Sequence, residues 1–185
     1  AVPAGAAMAA LGLGGVAAGG LGMAYPTPLR LSIVTAGIGG LLLSFCLVTQ
    51  PHRLVSRRYI LPLLTMATGF IGMAIHVPSP GRWSDQQIAV ESSILDAALT
   101  LAFLTVGAGL VLLALVPATS DKRRLAHIAG TTVLVGLASF AITQVAWGLT
   151  VAPDDLTITI PSIGAALAAG SAAHLVPRLR HLEIL

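Results

Sequence analysis

Charge is scarce in this chain: Lys and Arg number 10 and Asp and Glu 7 among 185 residues, or 9%. A soluble domain carries roughly 25% charged residues. With 56% of the chain apolar, 20 further residues glycine and a mean hydropathy of +0.91, too little polar surface is left to face water. A water-soluble enzyme is therefore not expected. Lysine is nearly absent, with Lys122 alone against nine arginines scattered among apolar runs, so the net charge of +3 does not signal nucleic acid. The one cysteine, Cys46, lies inside an apolar run; it excludes an intrachain disulfide and any paired-cysteine metal motif and leaves the redox compartment open. The chain starts with Ala1. That leads us to expect a processed, trimmed or partial chain from which any signal or transit peptide has gone.

What is present is a series of apolar stretches, at about 4–24, 29–48, 59–77, 90–116, 126–149 and 156–176. A helix needs about 20 residues to cross roughly 30 Å of hydrocarbon, so six spans fit this length. No stretch alternates polar with apolar residues as a membrane barrel strand must. The expected fold is all-α: a polytopic transmembrane helix bundle of about six spans forming one domain over residues 1–185. Ala and Gly contribute little transfer energy, so the stretch 4–24 is expected to depend on packing for its place in the bilayer.

Basic residues in short loops stay on the cytoplasmic side. Arg53, Arg57 and Arg58, then Lys122, Arg123 and Arg124, then Arg178 and Arg180 share one face of a six-span chain, while the other holds Arg30 and Arg82 beside Asp85, Glu91, Asp154 and Asp155. Both termini are thus expected in the cytoplasm, in a prokaryotic plasma membrane or an organellar inner membrane. Tyr25, Trp83, Trp147 and Tyr59 all fall at span ends, the headgroup level that amphipathic rings favour. Pro62 and Pro161 fall near span starts, where the missing donor costs little. Small residues recur at helical spacing: Gly12, Gly15, Gly19 and Gly22; Thr65, Gly69, Gly72 and His76; Thr132, Gly136, Ser139 and Thr143. Such stripes let helix backbones approach closely and are read as packing seams.

An ionisable residue inside a span is a functional candidate by default. Asp96 is the one well inside, about two turns into the fourth span, with Thr100 one turn further on the same face. The topology brings Gln144, His76 and Glu91 to similar depth, so these five form a candidate polar cluster in the outer leaflet. Burial and a neighbouring cation act on a carboxyl's proton affinity in opposite senses, which is the tuning that proton relays and ion sites exploit. Within-bundle hydrogen bonding of Asp96 to Gln144 or Thr100 is the structural alternative.

His127 and His174 lie on the inner side of facing spans, an arrangement able to ligate one haem iron; it also suits ordinary interfacial histidines. The run Gly12, Gly14, Gly15 follows no strand and lacks a downstream acidic residue before Asp85, so it is not a dinucleotide loop. Ser139, Ser162 and Ser171 lack the turn of a nucleophile elbow. Arg57 and Arg58, like Lys122, Arg123 and Arg124, can hold anionic lipid headgroups, although topological retention explains them equally well.

One passage reads "LSFCLVTQPHRLVSRRYILPLLTMATGFIGMAIHV" and a later one "SDKRRLAHIAGTTVLVGLASFAITQ". In order and spacing the chain from about residue 30 to 176 resembles the first five helices of microbial rhodopsins. The resemblance implies a counterion role for Asp96 with Thr100 beside it. It departs at Ser93, Ala97, Leu101 and Ala102, where that family has Arg, Trp and a Thr-Pro pair, and the last two helices with the retinal-binding lysine are missing. It therefore implies a rhodopsin-like scaffold that forms no Schiff base and, at most, carries a polyene non-covalently.

Three functions follow as expectations. The first is a pathway or pocket for a proton, ion or small solute around Asp96, and the second an accessory subunit of a larger membrane complex. The third is a carrier of haem or a polyene. Expected partners are membrane lipid and other membrane subunits or further copies of the chain.

Overall fold

The computed structural model describes residues 27–49, 57–76 and 86–150, with Leu167, Gly170 and Ala173 as isolated helical positions. Four helices account for nearly all of these. Helix α1 is Thr27–Thr49; a 3-10 turn, Arg57–Tyr59, leads into α2, Ile60–His76; α3 is Gln86–Leu115, ending in the 3-10 turn Val116–Ala118; α4 is Lys122–Thr150. No strand occurs among the described residues. The spans expected at 4–24 and 156–176, along with Tyr25, Trp83 and Pro161, lie outside them, apart from the three isolated positions.

Three stretches are long and apolar enough to cross a membrane: Arg57–His76 with 20 residues, Asp96–Ala118 with 23 and Lys122–Thr143 with 22. At 1.5 Å per residue each reaches about 30 Å or more, the thickness of the hydrocarbon layer. Helix α1 has 23 residues. Pro28 and Pro62 fall in the opening turns of α1 and α2, where no helical N–H is lost. Hydroxyls inside the helices donate to their own backbone one turn back, as Ser32 does to Pro28, Thr68 to Leu64 and Thr132 to Ile128, all at 2.8–2.9 Å. In an apolar medium such a bond satisfies the hydroxyl proton that makes it.

The helices pack in chain order and antiparallel, α1 on α2, α2 on α3 and α3 on α4. Glycines set how close they come. A Cβ on Gly39 would collide with the backbone of Met66, one on Gly69 with the backbone of Ala36, and one on Gly72 with the Ser32 hydroxyl. The α3–α4 contact is similar: a Cβ on Gly136 would lie 2.7 Å from the Val106 nitrogen, and one on Gly109 2.8 Å from the Val133 nitrogen. Between α2 and α3 the filling is different. There the rings of Phe70 and Phe103 sit 5.8 Å apart, and Phe103 in turn lies 5.3 Å from Phe140 of α4. Tilted rings at such distances add a directional attraction to their area.

All four helices contribute to one core, from Leu29, Ile33 and Ala36 through Leu63, Met66 and Phe70 to Val106, Leu110, Leu137 and Phe140. The outward stripes are apolar as well: Phe45 is 68% and Ile142 70% exposed, with Leu31, Leu61, Ile75 and Leu101 alike. Exposed aliphatic stripes of this extent suit lipid and are costly in water. Tyr59 stands at the start of its span as expected and is buried there, its hydroxyl donating to the Cys46 carbonyl at 3.3 Å. It ties the end of α1 to the start of α2. A small second cluster, Val116 and Ala126 with Leu113 and Leu125, fixes the α3–α4 turn.

Candidate functional site

Asp96 is a half-buried residue of α3. The helix begins at Gln86, so Asp96 stands about 15 Å along it. Among the described residues, the part of α3 long and apolar enough to cross a membrane, Asp96–Ala118, includes it. Seven and eleven residues later on the same face come Phe103 and Gly107, which pack toward Phe70 and Ile71 of α2. Asp96 therefore belongs to the α2–α3 seam, at the level where α2 ends in His76.

Thr100 lies one turn from Asp96 as expected, but its hydroxyl donates to the Asp96 backbone carbonyl, at 2.7 Å, rather than to the carboxylate. Its proton is thereby committed and its oxygen lone pairs stay available. Among the described residues no side chain hydrogen-bonds to or pairs with the Asp96 carboxylate.

His76 sits at the same depth but on another face. It continues the line of Gly69 and Gly72, which pack on α1, and it is exposed. Gln144 falls in α4 near its C-terminal end, and Glu91 in the second turn of α3, before Asp96. The sequence reading placed Thr143 in a packing stripe and not in the polar cluster. It is buried, however, and on the α3-facing line of Gly136. The pairing of Gly136 with Val106 sets Thr143 level with Leu99, one turn from Asp96. Its hydroxyl, too, donates to its own helix, at the Ser139 carbonyl 2.8 Å away. Its small size and place in a glycine line made it resemble pure packing; only the helix register shows its proximity in depth to Asp96.

At the opposite end, His127 is half-buried in α4 just after the Lys122, Arg123, Arg124 turn. His174, its expected haem partner, lies outside the described residues. Among the described residues no group of three His, Cys, Asp or Glu side chains could hold a metal ion. Arg57 and Arg58 are exposed on the 3-10 turn before α2, and Arg123 and Arg124 are exposed on the first turn of α4. The latter were expected in a loop and prove to be helical.

Chemically, the end of the α2–α3–α4 region that holds Asp96 offers one carboxylate and two hydroxyl oxygens with committed protons. Such a set can exchange a proton or take up a small cation through oxygen. Among the described residues the chain is thus all-helical, with helices of membrane-spanning length. Comparison with family models, with curated proteins and with solved structures yields no match.

Proposed function

We propose that the protein is an integral membrane helix bundle that provides a path or pocket for a proton or small cation, centred on Asp96. The observation that carries this reading is the half-buried Asp96 carboxyl in the apolar helix α3, without a partner among the described side chains. A half-buried carboxyl within a membrane-spanning helix, without a counterion, is costly unless it serves to bind something positive. Thr100 and Thr143 support it as oxygen acceptors of similar depth, and Gln144 and Glu91 are the further members of the outer polar region. In this reading the basic end, with Arg57, Arg58 and Lys122–Arg124, faces the cytoplasm.

The test is flux. In proteoliposomes carrying a pH-sensitive dye and an imposed cation or proton gradient, the wild-type chain should conduct and Asp96→Asn should lose about tenfold or more. The melting temperature in mild detergent should stay nearly unchanged, since Asn keeps the shape of Asp. Equal flux from the two proteins would remove the proposal.

A second reading, an accessory subunit of a membrane complex, is favoured by the exposed line Leu31, Ile38, Leu42 and Phe45 on α1, a helix whose main packing among the described helices is on α2. Recovery of a stable stoichiometric partner in mild detergent would support it, and a monodisperse homomer would count against it.

A further inference from the structure

We propose that the basic end of the bundle binds an anionic phospholipid, its phosphodiester held by Arg57 on one side and by Lys122, Arg123 and Arg124 on the other. The two groups are far apart in sequence, but the fold sets them around one feature. The Phe70–Phe103 pairing fixes the α2–α3 register, and thirteen residues along each helix it brings Arg57 level with Val116, where α3 ends. The α3–α4 turn then places Lys122, Arg123 and Arg124 just past that same end, with Val116 and Ala126 packed beneath them.

These cations do little for the fold. Three of them occupy the first turn of α4, the end of a helix dipole that favours anions. Arg57, Arg123 and Arg124 are exposed, and none is bonded to a described side chain. Asp121 is the one carboxylate among the described residues at this end, so Arg57, Lys122, Arg123 and Arg124 face a single anion. Topological retention requires a number of positive charges in a connection; it does not require them to occupy a helix turn that disfavours them.

The surface below selects a lipid over a free phosphate. Within about one turn of the cations lie Leu61 beside Arg57 and Arg58, Leu115 at the end of α3, and Ile128 one turn after Arg124, all exposed. A band of guanidinium groups above a band of exposed aliphatic side chains matches a headgroup above its acyl chains. Arginine suits the headgroup because its planar fork bonds two phosphate oxygens at once.

The experiment uses the full chain in mild detergent, given phosphatidylglycerol, phosphatidylcholine or inorganic phosphate in parallel. Readouts are the melting temperature and the lipid retained through size-exclusion chromatography, by mass spectrometry. Phosphatidylglycerol should raise the melting temperature and co-elute, with neither phosphatidylcholine nor phosphate doing so. The triple variant R57Q/R123Q/R124Q should retain at least about tenfold less phosphatidylglycerol, because each near-surface cation contributes to anionic-lipid attraction. Equal retention of the two lipids overturns the proposal, as does a phosphate effect as large as that of the anionic lipid or full retention by a folded triple variant. If the variant does not fold, the wild-type comparison of the three additives still decides.

Discussion

The α1–α2 seam and the α2–α3 seam solve the same problem by different means. In the first, Gly39 and Gly69 bring one backbone onto another, so that Met66 and Ala36 leave no room for a single methyl group. In the second, side chains do the filling, Phe70 against Phe103, and the one glycine involved, Gly107, faces the Ile71 side chain. The α3–α4 seam resembles the first, through Gly109 and Gly136. The four helices are thus two close pairs joined across a middle seam made of side chains. Side chains can change rotamer where backbones cannot move, so the middle seam is the one with room to adjust. Asp96 is on it. A titratable or cation-binding group gains most where its surroundings can adapt to each state it takes.

Breaking the close seam should have the largest effect. Gly69→Ala places its Cβ on the Ala36 backbone, and α1 and α2 must part to admit it. Overpacking costs about 1–3 kcal/mol where side chains can shift and more where backbone must. We expect Gly69→Ala to lose at least about 2 kcal/mol, measured by unfolding in a detergent titration. Gly39→Ala should behave in the same way against Met66. A loss below about 0.5 kcal/mol in both would show that the helices are not held as closely as described.

Phe103→Ala comes next, since it removes the ring shared by Phe70 and Phe140 and so loosens the middle seam from both sides. In soluble cores such a truncation costs about 3–5 kcal/mol. Part of that is a transfer term, which lipid does not supply because a helix separated in the bilayer still keeps its Phe in an apolar medium. A loss of about 1–3 kcal/mol is therefore expected, again from the detergent titration. A full 5 kcal/mol would mean that water, not lipid, is the reference medium for this face.

Much of this was legible in the sequence. The spans at 29–48 and 59–77 correspond to α1 and α2 within two residues, because apolar runs bounded by Pro, Thr and Arg leave few choices. The starts of α3 and α4 were read four residues late, at 90 and 126, since the reading followed apolar residues and helices continue through polar turns. Lys122 begins a helix because its side chain can reach water from there. Of the seams, Gly69, Gly72 and Gly136 stood out at helical spacing, whereas Gly39, Gly107 and Gly109 did not. A glycine in an apolar run faces a partner or lipid with equal ease, and only the partner's register decides. The same holds at the candidate site. Asp96 and Thr100 were evident as a pair, but the acceptor of the Thr100 proton is a backbone carbonyl, which residue types cannot reveal.

The smallest expected effect is also the most discriminating between the two seams. Gly107→Ala makes the same chemical change as Gly69→Ala, adding one methyl to a glycine in a packed helix. Its Cβ would lie 2.6 Å from Cγ1 of Ile71, with the next backbone atom, the Ala67 carbonyl oxygen, at an ordinary 3.5 Å. A turn of the Ile71 side chain relieves that contact at a cost of about 1 kcal/mol. Replacing glycine by alanine within a helix returns roughly 0.5–1 kcal/mol. The two nearly cancel, so the stability of Gly107→Ala should stay within about 0.5 kcal/mol of wild type in the same titration. A cost equal to that of Gly69→Ala would make the middle seam as rigid as the outer two and would remove the reason for assigning an adaptable site to Asp96. If stability holds while flux through proteoliposomes falls, the added methyl has narrowed the seam that Asp96 serves, and the difference between the seams becomes a difference in function.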